Sequence, residues 1–353
     1  MHNKKGIILT GSIVGLIAVL LVKFGNPANM GFCIACFIRD IAGATGFHRA
    51  AVVQYLRPEI IGLVLGAFIA SKISGEFSSK GGSSPFTRLI LGALVMIGAL
   101  MFLGCPLRMV LRIAGGDLNA IIGLFGFIAG ILVGVKVLEK GFTLKRNYKQ
   151  PKLEGYAFPI FNLFLFAVFL MVPSLFIFSS KGPGALAAPI WIALVCGLIV
   201  GFLSQKSRLC MVGGTRDMIM FKDNYLLLGF LSVIVVAMIG NIAFGFFNLG
   251  FDSQPVAHSD ALWNFLGMAV VGWASVLLGG CPLRQLILAG EGNSDSAITV
   301  AGLFIGAGIC HNFGLASSPK GPTFNGQIAV AICFIILLLL SYINSNAFGR
   351  NDS

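Results

Sequence analysis

Charged side chains are scarce in this chain. Only 11% of its 353 residues are Asp, Glu, Lys or Arg, against about 25% in a soluble globular protein. So few charges cannot cover a soluble globule of this length, which excludes a soluble enzyme and a secreted disulfide scaffold. Acidic residues are the scarcest, 13 against 25 Lys and Arg, for a formal net charge of +12. No nucleic-acid partner is expected, because the basic excess in so apolar a chain reads as loop charge that sets topology and attracts anions. There is no phosphate-binding loop, and so no visible means of hydrolysing ATP. Cys33-x-x-Cys36 lacks the second Cys/His pair that a zinc site needs and the strand–helix–strand setting of a thioredoxin-like motif. No metal and no cofactor are expected.

Apolar residues are abundant instead, at 57%. They come in runs of roughly 17 to 23, and about 20 helical residues at 1.5 Å each span the hydrocarbon of a bilayer. Ten candidate spans fall near 7–23, 59–75, 87–103, 118–138, 157–178, 186–204, 226–248, 261–278, 297–315 and 326–343. The first follows Lys4 and Lys5 and could imitate a signal peptide, but no small-residue cleavage site follows it. The expected fold class is an all-α polytopic membrane protein seated in the lipid bilayer.

The stretch from Lys136 to Glu154 carries Lys136, Lys140, Lys145, Arg146, Lys149 and Lys152 against Glu139 and Glu154. The positive-inside rule places it in the cytoplasm, and counting back four spans places the N-terminus there too. Counting forward puts 249–260 outside, where Asp252, His258 and Asp260 occur without Lys or Arg. The segment 25–58 also falls outside although it holds Arg39, Arg49 and Arg57, so either those arginines have a task or the count is off by one span.

The chain repeats itself. Phe32-Cys33-Ile34-Ala35-Cys36-Phe37-Ile38-Arg39-Asp40 returns 177 positions later as Leu209-Cys210-Met211-Val212-Gly213-Gly214-Thr215-Arg216-Asp217. Gly104-Cys105-Pro106-Leu107-Arg108 returns 176 positions later as Gly280-Cys281-Pro282-Leu283-Arg284, and Gly-Leu-Phe at 123–125 returns at 302–304. Two matches at nearly one offset indicate duplication. Each half holds five spans, an odd number, so the second half enters the membrane upside down and the expected fold is an inverted repeat, a recurrent plan in transporters. One integrated transmembrane domain is expected. Residues 1–155 form the first repeat with its basic linker, and 156–353 hold the first half's last span and the second repeat.

Four stretches near 29–40, 105–114, 207–220 and 281–290 are too short to span and too apolar for ordinary loops. They read as re-entrant helices lining a path, the first two entering from outside and the last two from inside. In Cys-Pro-Leu-Arg the Pro suits the first helical position, which makes Cys105 and Cys281 the expected N-caps. Free backbone N–H groups and the positive end of the helix dipole then face the thiol, a setting that attracts anions. Arg108 and Arg284 add fixed positive charge nearby. The substrate-path residues expected on these grounds are Cys105, Cys281, Cys33, Cys210, Arg108 and Arg284, with Gly104, Pro106, Gly280 and Pro282 starting the helices. Arg39–Asp40 and Arg216–Asp217 read equally as buried ion pairs and as substrate contacts, since intramembrane charge is costly and is paired or functional. Cys196, Cys310 and Cys333 read as small apolar packing residues. The four histidines are scattered, and His48 and His258 are expected near the membrane ends, facing solvent.

On these residues, and above all on the paired Gly-Cys-Pro-Leu-Arg elements, the sequence resembles the YeeE/YedE family of sulfur-transport membrane proteins, within it the branch described as selenium transporters. The resemblance extends over nearly the whole chain. It implies a bacterial cytoplasmic (inner) membrane protein, hourglass-shaped, with four short helices about a pseudo-two-fold axis and usually nine spans. It further implies uptake of thiosulfate or a related selenium species. Cysteines would pass the anion inward through thiol hydrogen bonds, a role that falls on Cys105 and Cys281 and also on Cys33 and Cys210. The chain is thus expected to be a transporter and not an enzyme. Two other readings stand beside it, a membrane thiol enzyme transferring sulfur or selenium covalently and a non-selective anion channel. A cytosolic sulfur- or selenium-carrier protein docking at the basic 139–152 loop is an expected partner.

Overall fold

The computed structural model describes residues 4–345. The first half runs α1 (Lys4–Lys23), α2 (Ile34–Ala44), α3 (Pro58–Ile73), α4 (Pro85–Phe102), α5 (Pro106–Ala114), α6 (Leu118–Glu139) and α7 (Lys152–Met171). The second runs α8 (Ile190–Ser207), α9 (Met211–Phe221), α10 (Tyr225–Ala243), α11 (Ala261–Leu277), α12 (Pro282–Gly290), α13 (Ser294–Asn312) and α14 (Phe324–Ile343). Both halves follow one order: long, short, long, long, short, long, long. Among the described residues nine helices are long and apolar enough to cross a membrane. The tenth long helix, α3, has 16 residues, about 24 Å at 1.5 Å per residue. The molecule is an all-α polytopic membrane protein.

Several boundaries differ from those expected, and two of the shifts have a clear local cause. The fifth run does not continue to 178, because Pro173 lacks an N–H and disfavours helical backbone at Val172; α7 therefore stops at Met171. The first short helix begins at Ile34 and not near 29, since Cys33 is its extended N-cap.

The halves are inverted and interlocked. The Asn26 side chain, just past the end of α1, accepts the Ala188 N–H, just before the start of α8, at 2.8 Å. Repeat-related helices thus leave from opposite faces. α1 packs on α10 while its counterpart α8 packs on α3, and α4 packs on α13 while its counterpart α11 packs on α6. Small residues allow this: a Cβ on Gly201 of α8 would run into the Leu63 carbonyl of α3, and one on Gly66 of α3 into the Leu198 carbonyl of α8. Backbones that approach so closely maximise dispersion contact where lipid offers no hydrophobic drive. Gly201→Ala is expected to cost about 1–3 kcal/mol through overpacking, read as a lower melting temperature of the detergent-purified protein; an unchanged midpoint would contradict this contact.

One face of the molecule gathers the basic loop. Lys80–Gly81 pairs antiparallel with Tyr148–Lys149 as the only two-stranded sheet among the described residues. Lys80 also bridges to Asn293, and the Thr143 N–H donates to the Asn344 carbonyl. The opposite face joins Asp117 to Gly250 and Asn312 to Phe47.

His48 and His258 do not face solvent. They are 1% and 2% exposed, each with its Nε2 on a backbone carbonyl, Arg39 at 2.9 Å and Met101 at 2.8 Å. A broken segment inside a membrane protein leaves carbonyls unpaired; both rings are consumed in satisfying them.

Candidate functional site

The four short helices begin at cysteines, and the cysteines meet in pairs. Cys33 caps α2, its sulfur accepting the Cys36 N–H at 3.4 Å, and Cys210 caps α9, accepting the Gly213 N–H at 3.3 Å. Cys105 and Cys281 are the N-caps of α5 and α12, each with Pro in the first turn. The Cys33 and Cys105 sulfurs lie 4.0 Å apart, and those of Cys210 and Cys281 3.8 Å apart. Each pair therefore stands where the N-termini of two short helices converge. Unlike Cys33 and Cys210, neither Cys105 nor Cys281 makes a side-chain cap hydrogen bond to its own helix. Two convergent helix starts concentrate unpaired N–H donors and positive dipole ends on one small volume. All four thiols are buried, and all eight cysteines are free.

The glycine ahead of each Cys-Pro has a definite task. A Cβ on Gly104 would come within 2.9 Å of the Arg108 side chain, and one on Gly280 within 2.9 Å of the Arg284 side chain. Each arginine folds back over the start of its own helix, and only glycine leaves room for it.

From there the two arginines differ. Arg108 is fully buried. Its Nε donates to the Asn29 carbonyl at 3.0 Å and its Nη2 to the Pro255 and Val256 carbonyls at 3.3 and 3.1 Å. Its Nη1 reaches the Leu103 carbonyl and, at 3.5 Å, the Cys36 sulfur. Among the described residues no carboxylate forms a salt bridge with it. A buried guanidinium held only by carbonyls and a thiol is solvated without being neutralised, and its field remains available to an anion. Arg284 lies at the basic face and pairs with Glu291 at 3.1 Å.

The paired-charge segments also diverge. In the first half Asp40 receives Arg39 on one oxygen at 2.7 Å and Arg57 on the other at 2.7 Å, all three buried. Arg57 further donates to the Leu186 and Pro183 carbonyls, both at 3.0 Å. In the second half Arg216 and Asp217 pair at 2.8 Å with about a fifth to a quarter of each side chain exposed. The arginines of 25–58 that troubled the charge count are thereby explained for Arg39 and Arg57, which lie inside the fold and neutralise one aspartate.

Several contributors had no marker in the sequence. Arg57 is 17 positions from Asp40, and nothing in the spacing signals their contact. Arg112 pairs with Asp117 at 2.6 Å and lies over the Phe102 ring, fixing the far end of α5. Cys36, set aside for want of metal partners, meets Arg108. The repeat offset named all four capping thiols without showing how they pair. Among the described residues no cluster of His, Cys, Asp and Glu could hold a metal ion.

Comparison with known proteins adds to this geometry. Residues 206–348 match the family described as Sulphur transport. The thiosulfate transporter TsuA of Escherichia coli (strain K12) is 33% identical over 107 residues, 30% of this chain and 30% of that protein. The thiosulfate transporter TsuA of Spirochaeta thermophila is 31% identical over 119 residues, 34% of this chain and 35% of that protein. The chain thus matches about a third of the length of these curated relatives.

Proposed function

Residues 206–348 match the sulphur-transport family, and from that match we propose that the chain is a transporter of the YeeE/YedE kind that carries a small sulfur anion of the thiosulfate class across the membrane between its two thiol pairs. The observation that carries this reading is the doubled site. A thiol pair at converging helix starts, with an arginine folded beside it, occurs once in each inverted half. An anion in a low-dielectric interior needs donors and positive charge at each stage, because its desolvation costs several kcal/mol even after relaxation. Arg108, Cys33, Cys36 and Cys105 supply these at one stage. Cys210, Cys281 and Arg284 supply them at the other.

A thiol is a weak donor, suited to passing an anion on where a lysine would retain it; conduction needs sites that both admit and release. The direction follows from charge. With the Lys136–Glu154 loop in the cytoplasm, as the positive-inside rule assigns it, the Cys33–Cys105 pair belongs to the outer half and Cys210–Cys281 to the inner half. The N-terminus then lies in the cytoplasm, in a bacterial inner membrane. A cytosolic sulfur carrier docking on the basic loop would receive the product.

Selenium chemistry is close enough to sulfur that the same donors would accept a selenium oxyanion, and the assay separates them. Labelled thiosulfate and labelled selenite are supplied to cells lacking other sulfur permeases, with and without the chain. Thiosulfate accumulation is the expected result. Selenite accumulation alone would move the substrate to selenium, and accumulation of neither would refute transport of this class.

A further inference from the structure

The basic face carries a feature that the repeat does not. Glu291 is the C-cap of α12, where the helix dipole disfavours negative charge. The position 176 residues earlier is Gly115, the C-cap of α5, preceded there by the basic Arg112. Glu291 is therefore neither inherited from the duplication nor placed to stabilise its helix.

Its surroundings account for it. One oxygen, Oε1, is shared by Arg284 Nη1 at 3.1 Å and Arg208 Nη1 at 3.3 Å. The Glu291 side chain is 8% exposed and that of Arg284 13%. Both arginines flank the inner thiol pair: Arg208 stands two residues before Cys210, and Arg284 three after Cys281. Arg208 is held in left-handed backbone, φ 60°, a conformation that crowds the Cβ of a non-glycine residue. Its second partner is Glu76, at 2.9 Å, on the loop after α3. A hydrogen bond from Gln205 and the charge of Arg208, against a smaller opposing effect of burial, hold the Glu76 carboxyl below its ordinary range. In the outer half the equivalent arginine, Arg108, has carbonyls and no carboxylate.

We propose that Arg208 and Arg284 form an anion-binding site at the inner mouth, and that Glu291 fills it as a tethered carboxylate which the arriving oxyanion displaces. This rests on the transport reading for the identity of the anion, but the binding site can be tested separately. Glu291 is attached at a helix end with one carboxylate oxygen between two guanidiniums. When a divalent oxyanion takes that place the side chain turns toward the basic face, and when the anion leaves the carboxylate returns. Glu291 thereby competes with the substrate, weakening the inner site and promoting release.

Thiosulfate is titrated calorimetrically into the purified full-length protein at constant ionic strength. Glu291→Gln, which removes the competing charge, is expected to bind about tenfold more tightly than wild type, and ~1.4 kcal/mol corresponds to that factor. Glu76→Gln is expected to stay within about twofold, since Glu76 touches only one of the two arginines, and the Glu291→Gln/Arg208→Gln double variant is expected to lose the gain. Glu291→Ser provides the same loss of charge where the Gln variant does not purify as a single species. Unchanged or weaker binding in the variants lacking the carboxylate would overturn the proposal. Tighter binding without uptake in the parallel cell assay would sustain the site and refute transport.

Discussion

Thiosulfate uptake is expected to fall by about a hundredfold in Cys281→Ala, with the protein still inserted in the membrane in normal amount. Alanine removes the sulfur that stands at the start of α12 and meets the Cys210 thiol at 3.8 Å. A buried polar contact that cannot be replaced by water costs about 1–3 kcal/mol, and up to a hundredfold follows because each 1.4 kcal/mol is a factor of ten. Cys105→Ala should behave alike, since Cys105 holds the same place against Cys33. Serine separates the possible roles of the sulfur. A hydroxyl donates and accepts a hydrogen bond, so Cys281→Ser should retain a measurable part of the uptake if the sulfur only passes the anion along. Normal uptake in both alanine variants would remove the thiols from the path. A persulfide trapped on Cys281 after incubation with thiosulfate, seen by mass spectrometry of the intact protein, would point to covalent transfer.

Asp40→Asn is expected to be the most damaging single change to stability. It leaves Arg39 and Arg57 buried with no carboxylate between them, whereas both now have an oxygen at 2.7 Å. Breaking a buried ion pair by removing one partner costs about 3–5 kcal/mol, and here one carboxylate serves two guanidiniums. The damage should spread, because Arg57 also ties the start of α3 to the Pro183 and Leu186 carbonyls ahead of α8. Thermal unfolding in detergent would register it as a midpoint lowered by several degrees or as no folded peak at all. The matching change in the second half, Asp217→Asn, should cost about 1 kcal/mol or less, since that pair is partly exposed and water screens it. Equal losses in the two variants would contradict the assignment of Arg39, Asp40 and Arg57 as a buried structural cluster.

The sequence disclosed what depends on local chemistry and on the repeat. Apolar runs located the long helices, most of their ends to within a few residues, because hydrocarbon thickness imposes length on each one independently. The Cys-Pro pairs located two N-caps, because proline has few other comfortable places in a helix. It could not disclose what depends on distant chain meeting distant chain. The sulfur of Cys33 finds that of Cys105 across 72 positions, and Arg57 finds Asp40 around an entire loop. The two buried histidines misled for the same reason: their partners are backbone carbonyls freed by breaks elsewhere in the chain, and carbonyls leave no trace in residue identity. Nothing in the sequence singled out Glu291, because Arg208 comes beside it from the other end of the second half.

The exchange of helices between the halves sets a schedule for biosynthesis. α1 leaves the ribosome first, but its packing partner α10 begins at Tyr225. At about 5–20 residues per second that partner arrives roughly 10–40 seconds later. Through that interval α1 can be kept in the bilayer only by its own apolar length, with the surface around Gly11 and Gly15, meant for Ser232 and Val233, turned to lipid. A chain stalled or cut between the halves therefore leaves an inserted but unassembled bundle. The two halves produced as separate polypeptides in one membrane should find each other, because each holds the surfaces the other lacks.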